Sequence, residues 1–256
     1  MNKIWFVSAA LVAALATGSA FAADLPPAPQ VYAPPPALAP PIYSWTGCYL
    51  GIEGGGAWGR SQQTAATAPA PADVGLPITS PFNMSGALFG GTAGCNYQFG
   101  SVVLGVENDF SWTNKSGSSP DIPPFAAGSV SSTKENWLDT LRGRVGFAWD
   151  RFMVYGTGGA AFADVGVNVC SAAAICVSDS QERTGWTAGV GGEWAAWTSP
   201  GGSLTFKLEY LHVDFGTGLF ISPPVTIAGV GTYDSRNVRL TDDIVRGGVN
   251  WKFNGW

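Results

Sequence analysis

The chain has 256 residues, enough for one large domain or two small ones. Apolar residues make up 46% and charged residues only 12%, about half the charged share of an average soluble domain, which excludes a disordered chain. A net charge of −5 argues against nucleic-acid binding, which needs a basic patch, and a single histidine, His212, removes most metal and general-base chemistry. Neither a cofactor, nor a metal, nor a nucleic-acid partner is expected.

In chain order, Lys3 is a short positive region and Ile4 to Ala16 is apolar except for Ser8. Ala20-Phe21-Ala22 then supplies an A-x-A cleavage site, so residues 1–22 read as a secretory signal peptide. The apolar core is too short for a membrane-spanning helix, which needs about 20 residues. Pro26 to Pro41 carries eight prolines in sixteen positions. Residues 23–44 are therefore expected to form a polyproline II tether in the periplasm, spanning about 50 Å at ~3.1 Å per residue if fully extended.

From Trp45 the pattern changes to strict alternation. Cys48, Leu50, Ile52 and Trp58 share one face, and Tyr49, Gly51, Glu53 and Gly55 the other. Seven further segments repeat the pattern: Ala87–Phe99, Val102–Trp112, Trp137–Trp149, Phe152–Val165, Trp186–Trp197, Leu204–Asp214 and Asp243–Phe253. A period of two over ten or so residues means strands. Their connections alternate between short turns, near Gly100, Asp150-Arg151 and Ser199–Gly202, and long stretches. The long ones, Arg60–Ser85, Thr113–Asn136, Gly166–Gly185 and Thr217–Thr241, are each about 20 residues or more. Long structureless loops count against a compact soluble domain. They fit an outer-membrane barrel with short periplasmic turns and long extracellular loops.

Aromatic residues sharpen that reading. Trp58, Trp112, Trp137 and Trp186 fall at the long-loop ends of the strands, and Trp45, Tyr97, Trp149, Trp194 and Trp251 at the short-turn ends. Two girdles bracketing an apolar band are what the two membrane interfaces select. The fold expected is all-β: an eight-stranded antiparallel up-and-down transmembrane β-barrel over residues 45–256. Gly156-Thr157-Gly158-Gly159 lacks the lysine and helix of a phosphate loop and reads as strand.

The opposite strand faces then point into the lumen. They supply Glu53, Glu107, Asp109, Glu193 and Glu209 against Arg142, Arg144, Lys207, Arg246 and Lys252. Eight strands enclose room only for side chains, so these charges are expected to pair as a packed network. Cys170 and Cys176 lie in one long loop in an oxidising compartment and should form a disulfide. Cys48 and Cys95 are expected to be cross-strand neighbours on the lipid face, with bonding left open. Arg246, Gly248, Trp251 and Phe253 fit a polar-x-Gly-x-x-hydrophobic-x-Phe pattern similar to the C-terminal signal read by outer-membrane assembly machinery, although Asn254-Gly255-Trp256 extends beyond the Phe.

Several motifs occur in a characteristic order: Trp45-Thr46-Gly47-Cys48-Tyr49-Leu50-Gly51, Gly105-Val106-Glu107, Arg142-Gly143-Arg144-Val145-Gly146, Tyr155-Gly156-Thr157-Gly158-Gly159 and Lys207-Leu208-Glu209-Tyr210. Together they resemble the 25/31 kDa outer-membrane immunogenic proteins of alphaproteobacteria, over Trp45 to Phe253 but not the loops. The resemblance implies a porin-family or surface-antigen barrel with no catalytic residue. Cys48 departs from it, standing where an aromatic is usual.

The expected function is a non-enzymatic surface barrel contributing to envelope structure and surface contacts. Its expected partners are outer-membrane lipids, lipopolysaccharide and the assembly machinery, with the chain as a monomer. The alternatives are a small diffusion pore and a lipid A-modifying enzyme. For the enzyme, His212 with Asp214 two residues on is the sole candidate pair.

Overall fold

A computed structural model describes residues 43–125, 128–228 and 231–253. The expected signal peptide, residues 23–42 of the expected tether and Asn254-Gly255-Trp256 lie outside the described residues. The described strands are β1 (Gly47–Ala65), β2 (Phe82–Phe99), β3 (Val102–Thr113), β4 (Ser116–Pro120), β5 (Val130–Trp149), β6 (Phe152–Cys170), β7 (Cys176–Ser199), β8 (Gly202–Phe220), β9 (Val225–Ile227), β10 (Gly231–Tyr233) and β11 (Arg236–Phe253). One 3-10 turn, Pro71–Asp73, completes them.

Eight of these strands close a ring. β1 pairs antiparallel with β2 on one side and β11 on the other, and β2–β3, β3–β5, β5–β6, β6–β7, β7–β8 and β8–β11 complete the circuit. Closure leaves the ring no open sheet edge, the one way a sheet can stand in hydrocarbon. β4 joins β2 and β5 at the outer end, and β9 with β10 makes a separate hairpin. At the other end the turns between β2 and β3, β5 and β6, and β7 and β8 each take two residues. Gly100 (φ +61°) and Asp150 (φ +49°) supply the left-handed conformation that two of these tight turns need.

The alternation sorts as the sequence requires. Along the turn-side half of the wall Leu50, Val106, Val190 and Leu208 point outward and are 56%, 60%, 61% and 64% exposed, while Glu53, Glu107 and Glu209 are buried inside. In the outer half the faces exchange character. Ala161, Ala163, Val165, Val167 and Val169 of β6 are buried in the interior with Leu211, Val213, Phe215, Val238, Leu240 and Ile244. The outward positions there are Ser178, Ser180, Ser132, Lys134 and Asn168.

This inversion corrects the expected loop lengths. β1 runs on to Ala65, β2 starts at Phe82, and β5 starts at Val130. Between β6 and β7 only residues 171–175 remain outside the ladder. A barrel that rises above the membrane meets water outside and apolar packing inside, so its strands no longer carry the outward apolar stripe that marks the spanning part. They continue because every added residue is still paired with its neighbour, as from Val165↔Gln181 to Cys170↔Cys176.

Candidate functional site

The lumen of the membrane-level barrel is filled by interlocked charges. Arg142 Nη2 lies 2.6 Å from Glu107 Oε1 and 2.5 Å from Asp109 Oδ2, and its Nη1 lies 2.8 Å from Glu209 Oε1. Arg246 pairs with Glu53, with Asp109 at 2.8 Å and with Glu209 at 2.7 Å. Lys207 reaches Glu53, Glu107 and Asp109 at 3.3, 3.1 and 3.5 Å. Arg144 reaches Glu107 at 3.4 Å and Glu193 at 3.2 Å. Neutral groups fill remaining valences: the Tyr49 and Tyr155 hydroxyls donate to Glu107 and Glu209, and Thr205 donates to Glu193. Charges removed from water are tolerated when paired and hydrogen-bonded in this way.

Two glycines make room for the cation at the edge of this network. A Cβ on Gly94 would run into the Tyr49 hydroxyl, and one on Gly191 would meet the Tyr155 ring at 2.5 Å. Both tyrosines therefore lie against bare backbone, and Arg144 sits over their rings at 4.9 and 5.0 Å.

The structure departs from the expected network at Lys252. Its ammonium donates to the carbonyls of Ser44 and Thr46 and lies 4.7 Å over the Tyr43 ring, because it sits at the turn-side mouth, below the network's carboxylates. The network thus joins five acids to four bases. Trp45 is a second correction. It is buried inside the mouth and not in the girdle, with its indole N–H donating to the Asp150 carbonyl at 3.1 Å. With Tyr43, Val103, Ala148, Met153, Tyr155 and Ala195 it forms an apolar cap beneath the charges. Tyr43 and Ser44, assigned above to the tether, are part of this closure.

A further ion cluster lies where the sequence was read as loop. Lys115 Nζ stands 2.8 Å from Glu135 Oε2 and 2.5 Å from Asp242 Oδ2, all buried. Lys115 and Glu135 belong to the stretch expected to be structureless, so only the continuation of β5 past Trp137 would have revealed them.

On the outer surface Trp58, Trp112 and Trp186 are exposed at one level, with Trp137 stacked on Phe110. Tyr97, Trp149 and Trp194 are exposed at the other, where Trp251 packs on Trp197. Phe253 also faces outward, whereas Arg246 and Gly248 face the lumen. Cys48 and Cys95 sit directly opposite each other and are bonded, as are Cys170 and Cys176 at the β6–β7 tip. His212 and Asp214, the candidate pair of the enzyme alternative, do not pair with each other. Asp243 lies opposite His212 on β11 and takes its Nδ1 at 2.9 Å, while Asp214 accepts from the Gly216 amide and Arg239.

Above the apolar core lies a cavity of about 560 Å³, walled by the β1–β2, β4–β5, β6–β7 and β8–β11 connections. Arg236 lines it together with Asp73, Asp121 and Asp234. Burial pushes the carboxyls of Asp121 and Asp234 above the usual carboxylate range, and for Asp121 the Ser131 hydroxyl opposes this.

The ring, the paired lumen and the apolar outer band define a closed eight-stranded outer-membrane β-barrel. Residues 43–253 match the family model for the outer membrane protein beta-barrel domain, and the chain belongs to that family. It is 35% identical over 216 residues to the 31 kDa outer-membrane immunogenic protein of Brucella melitensis, covering 81% of this chain and 85% of the relative. Identity to the 25 kDa outer-membrane immunogenic protein of Brucella abortus is 30% over 259 residues and 99% of both chains. The resemblance read from the strand motifs is thus shown. Among solved structures the outer membrane protein OprG of Pseudomonas aeruginosa is 14% identical with a TM-score of 0.44, over 81% of this chain and 97% of that one.

Proposed function

We propose that this protein is a sealed, non-enzymatic barrel that braces the outer membrane and presents a rigid tier of strands and loops at the cell surface. The observation that carries this reading is the stacking of three packed layers in one lumen. An apolar cap closes the mouth, the ion network fills the middle, and the apolar core occupies the outer half. A pore would keep its lining charges hydrated, whereas Arg142, Arg246 and Glu107 are fully buried. Arg60, Lys134 and Arg239 project outward just above the outer tryptophans, which supports contact with the phosphates of lipopolysaccharide. The outward Phe253 at the end of β11 supports recognition by the assembly machinery, and the entry of the chain through the turn-side mouth supports a periplasmic tether. We assign the working form as a monomer.

Planar-bilayer recordings of the purified, folded protein test the seal. No steady conductance is expected at either polarity. Porin-like steps from the monomer would overturn it and make diffusion the function.

A further inference from the structure

The four outer connections converge on the cavity above the apolar core, and we propose that this cavity binds a compact zwitterion of amino-acid type, its carboxylate on Arg236 and its ammonium on Asp234.

Arg236 opens β11 with its side chain turned inward, on the same face as the buried Val238 and Leu240. It is 3% exposed. Its Nη1 donates to Gln63 Oε1 at 2.9 Å and to Ser131 Oγ at 2.7 Å, which fixes the guanidinium, while its Nη2 donates to no described residue and its Nε is shut away in the packing. Among the described residues no carboxylate forms an ion pair with it, although Asp121 and Asp234 are close enough to act on it electrostatically. Asp121 is held by Ser131, whose hydroxyl donates to its Oδ1 at 2.5 Å. Ser131 thus takes one hydrogen bond from the cation and gives one to the anion, keeping the two apart. The Asp234 carboxylate accepts no hydrogen bond from any described residue.

Opposite charges held in reach of one another but not paired leave a gap that a molecule carrying both charges fills. A buried guanidinium with a free N–H favours a carboxylate, to which it makes its strongest hydrogen bonds. A half-buried, unpartnered carboxylate favours an ammonium. A simple anion would be opposed by Asp73, Asp121 and Asp234, and a simple cation by Arg236. Ile78, Phe125 and Val169 give the walls an apolar portion suited to an aliphatic side chain.

Titration calorimetry on the folded barrel in detergent micelles tests this with L-leucine, N-acetyl-L-leucine and L-leucine amide as probes. Leucine is expected to bind, and each blocked form to bind about tenfold more weakly or worse. Asp234→Asn and Arg236→Gln should each weaken leucine binding by a similar factor while the heat-dependent gel shift of the folded barrel is unchanged. If Arg236→Gln does not fold, Asp234→Asn and the blocked probes carry the test alone. No binding of leucine at millimolar concentration overturns the proposal. So does N-acetyl-leucine binding as well as leucine, which would mark an anion site, or the amide doing so, which would mark a cation site. Conductance is read in bilayers and binding in micelles, so failure here is separate from failure of the sealed-barrel reading.

Discussion

Arg144 is where the lumen network is thinnest, and Arg144→Gln tests whether the network is dry. Among the described residues Arg144, at 3.2 Å, is the one cation at ion-pair distance from Glu193, which otherwise accepts from Thr205 and Asn250 and feels Lys252 from further off. Glu107 loses less, because Arg142 at 2.6 Å and Lys207 at 3.1 Å remain. The substitution therefore strands a single carboxylate that is 5% exposed. Removing one partner of a buried pair costs about 3–5 kcal/mol, and the lost stacking between Tyr49 and Tyr155 falls within that range. Adding Glu193→Gln removes the orphaned charge and should restore about 1–3 kcal/mol. Urea unfolding in micelles, followed by tryptophan fluorescence and the heat-dependent gel shift, gives both numbers. A cost below about 1 kcal/mol for the single variant, or a double variant no more stable than it, would refute the reasoning: Glu193 would then be hydrated and the lumen wet.

In intact membranes the Cys48–Cys95 bond should resist dithiothreitol and the Cys170–Cys176 bond should yield to it, because exchange requires an accessible thiolate path and only the latter stands at an exposed tip. Alkylation followed by mass spectrometry reads this, and equal labelling of both pairs would contradict it. Opening Cys170–Cys176 by Cys170→Ser should cost about 2 kcal/mol for a six-residue separation. Trp45→Ala empties the cap at the mouth and should destabilise the barrel by about 3–5 kcal/mol in the same urea assay, whereas Trp112→Ala on the outer surface should leave packing intact. Phe253→Ser, or removal of Trp251 to Trp256, should lower the folded, heat-modifiable fraction in cells, and normal levels would count against an assembly role.

The membrane-level strands were legible because bilayer and lumen impose opposite polarities on alternate residues. Leu50, Ile52 and Trp58 against Tyr49, Gly51 and Glu53 leave little freedom. The outer tier was not legible as strand because β7 there reads Ser178 to Thr184 without a hydrophobic residue on either face. Its partner β6 did carry the signal, in Val165, Val167 and Val169, with the stripe on the opposite side from Val154 and Phe162. Trp45 was misplaced by position along the strand. Its odd number shares the inward parity of Tyr49 and Glu53, a signal that outweighs its nearness to the girdle. The neighbourhood of Cys48 and Cys95 was legible because strands one and two meet antiparallel: Gly59 faces Met84, and that register brings Cys48 opposite Cys95. The cavity over Arg236 depends on four connections far apart in the chain, which no local pattern foretells.

The exchange of faces partway up the wall gives the barrel a waterline of its own. One residue pair is about 6.6 Å of strand. Sinking by that much would carry Arg60 and Lys134 toward the hydrocarbon, at up to about 2–4 kcal/mol per charge as they near the midplane. Rising by as much would lift the outward Phe89 and Phe110 toward water. Both displacements are opposed around the whole circumference, so the height at which the outer tier stands above the lipid is written into the strands themselves and needs no other protein to set it.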